Sequence, residues 1–149
     1  YWLTEDTAAD APELYNDRFV YLGGVDMMIP RTSIFLSFQV TGAYVFDYLD
    51  LSEADVDRLA SFDNTANSTM MIGALDIPFA NDKMKLRLSG IYHIQGKGYM
   101  IIPEYKWSIR DDLELSLTGQ IFSGEVSGGS PYSTWDKNDN AAVSFTYMF

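Results

Sequence analysis

The sequence predicts an all-β protein, an antiparallel up-and-down transmembrane β-barrel, of which this chain supplies seven strands. Three observations predict it. Apolar residues recur at every second position along most of the chain, the period of a strand and not of a helix. The connections between the alternating segments are short at one end and long at the other, the asymmetry of barrels whose short turns face the periplasm. Aromatic residues make up 15% of the chain and gather near the segment ends, as in the interfacial girdles of such barrels.

The segments follow in order. Residues 18–28 set Phe19, Tyr21 and Val25 opposite Asp26. Ile34, Leu36, Phe38 and Val40 oppose Ser37, Gln39 and Thr41. Met71, Gly73, Leu75, Ile77 and Phe79 oppose Ile72, Ala74, Asp76 and Pro78. Met84, Leu86, Leu88, Gly90, Tyr92 and Ile94 oppose Lys85, Arg87, Ser89, Ile91, His93 and Gln95. Ile101, Pro103, Tyr105, Trp107 and Ile109 oppose Ile102, Glu104, Lys106 and Ser108. Leu113, Leu115, Leu117, Gly119 and Ile121 oppose Glu114, Ser116, Thr118, Gln120 and Phe122. The last segment alternates Val143, Phe145, Tyr147 and Phe149 with Ala142, Ser144, Thr146 and Met148. Segments of roughly 9 to 15 residues are long for a soluble sheet and long enough to cross a bilayer when tilted.

Tight turns are expected at residues 30–32, 80–82 and 110–112, all at the end that also carries Phe149. Residues 1–17, 49–67 and 124–140, with the short turn 95–98, lie at the other end and read as extracellular loops of a single domain spanning 1–149. The first two long loops are rich in Asp and Glu. Within the second, Ser52 and Asp55 have the spacing of a helix cap, with Val56, Leu59 and Phe62 on one helical face.

Composition removes several classes. The chain has 149 residues and a net charge of −11, which argues against nucleic acid, since phosphate binding needs Lys and Arg clusters. A hydrophobic content of 47% excludes a disordered chain. With no cysteine, neither a disulfide framework nor a thiolate metal site is available. No run of 18 apolar residues occurs, so no transmembrane helix is expected. The first residues lack the pattern of a signal peptide, and seven segments fall short of the even strand number of single-chain bacterial barrels. The expectation is the C-terminal part of a larger barrel of about 12 to 18 strands.

The final segment, Val143-x-Phe145-x-Tyr147-x-Phe149, resembles the C-terminal sorting signal of bacterial outer-membrane β-barrels. The resemblance implies recognition by the outer-membrane assembly machinery, residence in the cell outer membrane among lipid and lipopolysaccharide, and a pore. Residues 83–149 also resemble the C-terminal part of a large, poorly characterised family of proteobacterial outer-membrane barrels. That resemblance rests on 81–86, 103–106, 112–115 and 136–140. The implied function is a channel or porin-like transporter that passes a solute. The rival is a structural or interaction barrel: a plugged pore, an adhesin, or a partner of other subunits in an envelope complex.

The candidate lumen-lining residues are Asp76, Lys85, Arg87, Glu104, Lys106 and Glu114, inward by parity and of both signs. Counting across the turns puts Asp76 opposite Lys85 or Arg87, Arg87 opposite Lys106, and Glu114 beside Ser108. Such a band either imposes a transverse field on passing solutes or locks strands in register or against a plug. His93 is the only histidine. It shares a face with Ser89, but four residues along a strand span about 13 Å, too far for a nucleophile–base pair. No catalytic residue is expected, and the protein reads as no enzyme. Asp136-x-Asn138-x-Asn140 has the opening spacing of a calcium loop, but Ala141 stands where Gly is needed and no Glu follows at the twelfth position. No metal or cofactor is expected.

Overall fold

The computed structural model describes residues 16–46, 48, 65–125 and 130–149. The expected loop helix at 52–62, and most of loops 1–17 and 49–67, lie outside the described residues. One antiparallel sheet contains seven strands, each paired with its neighbours in sequence. These are β1 (Arg18–Met28), β2 (Phe35–Val45), β3 (Asn67–Phe79), β4 (Met84–His93), β5 (Gly98–Arg110), β6 (Leu113–Gly124) and β7 (Asn140–Tyr147). A single turn of helix, α1 (Pro131–Thr134), stands between β6 and β7. β1 and β7 do not pair with each other, so the sheet is open among the described residues.

The tight turns form where the sequence puts them. At the β3–β4 turn Ala80, Asn81 and Asp82 all take positive φ, 54°, 57° and 63°. Asn and Asp tolerate this left-handed region, whereas the Cβ of Ala80 makes it costly. Two strands begin earlier than their alternation suggests. β3 starts at Asn67, and β5 starts at Gly98 after residues 94–97, with Lys97 at φ 46°. Between β5 and β6 the pairing slips between Ser108 and Arg110.

Registers sort the side chains cleanly onto two faces. One carries Phe38, Leu75, Leu86, Leu88, Ile101, Tyr105, Leu115, Leu117, Val143 and Phe145, aligned row by row across the sheet. Much of this face is exposed: Leu88 is 46% accessible, Val143 63% and Phe145 69%. Aromatic rings occupy its two ends. Phe79 and Tyr105, and Tyr147 and Phe149, lie with centroids 6.3 and 6.4 Å apart near the tight turns. Phe19 and Tyr21, and Tyr44 and Phe46, do so at 6.3 and 5.4 Å near the long connections. Between the bands, Gly73 faces Gly90, and shallow hollows of ≈ 330 and ≈ 440 Å³ flank this pair.

Tyr21 secures the β1 edge. It faces Gly42, where an added Cβ would run into the phenol ring. The ring therefore lies across the glycine, and its hydroxyl meets Thr69 Oγ1 and Asn67 Oδ1 on β3. That is the aromatic cover of a strand glycine, here tying β1 to β3 over β2.

The opposite face is divided. Its half near the tight turns carries Asp76, Lys85, Arg87, Glu104, Lys106 and Glu114. Its half near the long connections carries Met70, Ile72, Ile91, Met100, Ile102 and Phe122, and α1 packs there against β5 and β6. Ile72, Ile91, Ile102 and Phe122 of that second half stand on the face where their alternation puts them. Only two hydrophobic residues of the described sheet, Val45 and Phe122, are buried. A single sheet has no second layer to bury against.

Candidate functional site

The six charged residues stand in adjacent rows. Asp76 faces Arg87, Arg87 faces Glu104, and Glu104 faces Thr118. One step nearer the turns, Lys85 faces Lys106 and Lys106 faces Ser116. Glu114 faces Ser108 on one side and Thr146 on the other, as the sequence count places it. Arg87 is a correction. It pairs with Glu104 and not Lys106, because β5 begins at Gly98 and the hairpin closes around 94–97. The slip of two residues keeps every side chain on its face, so the band survives with altered neighbours.

Asp76 is the anchor of this band. It is 9% exposed, and two cations reach it: Lys85 Nζ lies 2.9 Å from Oδ2 and Arg87 Nε 3.0 Å from Oδ1. Of the two partners the sequence offers, Arg87 stands opposite Asp76, and Lys85, opposite Pro78, reaches it diagonally. Oδ1 accepts no hydrogen bond, so the Arg87 contact is charge against charge without a directed N–H. Glu104 Oε1 lies 3.3 Å from Lys106 Nζ on its own strand. The side chains of Lys85, Arg87 and Lys106 keep 43%, 45% and 41% of their surface accessible. They can therefore face a solute while Lys85 and Arg87 hold the buried Asp76 carboxylate and Lys106 holds Glu104.

His93 lies on this face at the other end of the sheet and is 1% exposed. Its Nε2 sits 3.1 Å from Ser68 Oγ on β3. Ser89, by contrast, directs its hydroxyl toward the Ile102 carbonyl at 3.5 Å. The serine that meets His93 comes from the neighbouring strand, a pairing that spacing along one strand cannot reveal. His93 is shut in by Gly96, with Ser130 beside them. A Cβ at Gly96 would stand 2.5 Å from His93 Nδ1 and 2.9 Å from Ser130 Cβ.

Ser130 explains the position of α1. It is 2% exposed, and its Oγ accepts the Tyr132 N–H at 3.3 Å as the helix cap, with Pro131 following in the first turn. Gly98 and Gly124 make the seat. A Cβ at Gly98 would run into Ser130 Oγ, and one at Gly124 would come 3.2 Å from Ser133 Cβ. Beyond α1, Trp135 stacks at a tilt on Phe122 with centroids 5.5 Å apart. Asp139 Oδ1 accepts the Phe122 N–H at 2.8 Å, and Asn140 Nδ2 donates to Gln120 Oε1 at 3.1 Å. Asp136, Asn138 and Asn140 thus belong to a turn that enters β7. Among the described residues no three His, Asp or Glu side chains gather as a metal site.

A cavity of ≈ 310 Å³ remains between α1 and the sheet, lined by Met100, Gln120, Phe122, Pro131, Tyr132 and Trp135. Burial pushes the Tyr132 phenol above its ordinary value of 10.0. Sequence reasoning missed this site. Its one advance signal was Ser130-Pro131, a cap residue followed by the residue favoured at the first helical position. Comparison with protein-family models, with curated proteins and with solved structures finds no match for the chain.

Proposed function

We propose that this chain is part of the wall of a transmembrane β-barrel in a bacterial outer membrane, and that its charged face borders a passage for solute. The carrying observation is the division of the sheet: an exposed apolar face with an aromatic band at each end, backed by a face that holds paired charges. A patch of that extent exposed to water is a liability in a soluble monomer. Against lipid it is the ordinary outer surface of a barrel. No helix among the described residues is long and apolar enough to cross a membrane, so strands would have to make the crossing. The two open edges must then be closed, because unpaired backbone cannot face lipid. Lipid and lipopolysaccharide would surround the wall, and the last strand would engage the assembly machinery.

Conductance in planar bilayers tests this reading. The protein should give discrete ion-conducting steps. Replacing Arg87 and Lys106 together with Gln should move the reversal potential toward cation preference, since Glu104 loses its counter-charge and Asp76 keeps only Lys85. The shift should shrink at high salt, where the screening length falls below about 8–10 Å. Absence of conductance from a correctly inserted protein overturns the channel. One observation favours a second reading, a plugged or structural barrel: α1 covers part of the inner face at β5 and β6. That reading expects insertion without conductance, and conductance restored when α1 is unseated.

A further inference from the structure

We infer that the cavity under α1 is a binding site for one small, ring-bearing apolar solute. Three aromatic side chains (Phe122, Tyr132 and Trp135), the Met100 thioether and the Pro131 ring supply its wall, with Gln120 as the amide among them. Flat π faces and a polarizable sulfur favour a planar, apolar guest. The size agrees. An apolar cavity of about 150 Å³ takes up a benzene, so ≈ 310 Å³ suits a molecule of one or two rings. A long acyl chain would need an extended groove.

Polar groups fix how the guest lies. Gln120 Oε1 already accepts from Asn140, which leaves the Gln120 NH₂ free to donate. The Tyr132 hydroxyl, protonated at neutral pH as any phenol is, is a second donor. A ring carrying one hydroxyl or carbonyl oxygen satisfies both, whereas a charged group would meet no counter-charge in this lining. The wall is built in place: Ser130 seated against Gly98 and Ser133 against Gly124 hold α1 over the sheet, and Asp139 clamps the Phe122 backbone. The charged band lies further along the same face, toward the tight turns. The binding claim is independent of the channel reading. That the bound solute goes on to cross rests on it.

The test uses 4-fluorophenol and fluorine NMR on the protein in lipid nanodiscs, with empty nanodiscs as the blank. Saturable uptake of one probe per chain is expected. Trp135→Ala should weaken it about tenfold, the loss expected for one stacked ring and the contact area it brings. Met100→Trp should abolish it by filling the space. Gly98→Ala, which unseats Ser130 and with it α1, should also abolish it, whereas Thr118→Val on the same face outside the cavity should leave it unchanged. Circular dichroism checks that each variant keeps its sheet. Uptake no greater than in empty nanodiscs overturns the inference. Saturable uptake that ignores all three cavity variants also overturns it. Single-channel recording on the same samples separates the two proposals. Binding without conductance retains the site and removes the channel, and conductance without binding does the reverse.

Discussion

Leu117→Arg and Thr118→Arg differ by one residue and by the whole thickness of the wall. Leu117 lies on the apolar face between Tyr105 and Val143, and Thr118 lies on the charged face between Glu104 and Ala142. Leu117 also sits inside β6, beside Tyr105 at the inner edge of the tight-turn aromatic band. If that face meets lipid, an arginine there costs about 2–4 kcal/mol near the bilayer midplane, or roughly 1.5 to 3 powers of ten in the folding constant. If it meets water, the cost is much smaller. Leu117 is 40% exposed, so at most about 1–2 kcal/mol of burial is at stake, and the arginine stem recovers part of it. Thr118→Arg places a cation opposite the Glu104 carboxylate and should stay within about 0.5 kcal/mol of the parent. Reversible urea titration into lipid vesicles measures all three proteins. Equal costs for the two substitutions, or a Leu117→Arg cost below about 1 kcal/mol, would refute the assignment of the apolar face to lipid.

Further outcomes follow from the described contacts. Asp76→Asn should destabilise by about 1–3 kcal/mol. Breaking a buried pair costs more, but the cations keep over 40% of their surface and solvent offsets part of the loss; the same urea titration reads it. Gly42→Ala should displace the Tyr21 ring and raise hydrogen exchange along β1, leaving β4 to β6 protected. Removal of Phe149, exposed beside Tyr147, should slow insertion by the assembly machinery, seen as delayed heat-modifiable folding. For Tyr132 the folded-state value is raised, so its contribution to stability is intact below about pH 10. It is lost as pH rises through the raised value. α1 should therefore detach only in strong alkali, followed by phenolate absorbance and Trp135 emission.

Strand phase and facing were legible in the sequence because a period of two is a local property. Leu115 against Ser116, or Arg87 against Leu88, needs no knowledge of neighbours. The tight turns were legible for the same reason. What escaped depended on residues far apart in the chain. Asn67, Ser68 and Thr69 look like loop residues, yet they are strand because Tyr21, His93 and Gln95 satisfy them from other elements. The pairing of Arg87 with Glu104 was hidden by a turn whose closing residue, Lys97, takes positive φ. The seat of α1 depended on the spaces over Gly96 and Gly98, which read in sequence only as punctuation of a turn.

The neighbour-only strand order also has a kinetic consequence. Residues 80–83, 94–97 and 111–112 join β3, β4, β5 and β6, whereas 46–66 separate β2 from β3 and 125–139 separate β6 from β7. Closing the longest of these connections costs about 1.4 kcal/mol more than closing a four-residue turn, at about 0.6 for each doubling. The four central strands should therefore zip first, as two tight hairpins joined by a third. β2 with β1, and β7 with α1, would attach afterwards from opposite sides. The roofed pocket would then be among the last parts to form and the first to open, while the Asp76–Arg87–Glu104 row is complete as soon as the central unit exists. Any solute that binds under α1 would slow the reopening of the β7 edge, and so would lengthen the life of the assembled wall.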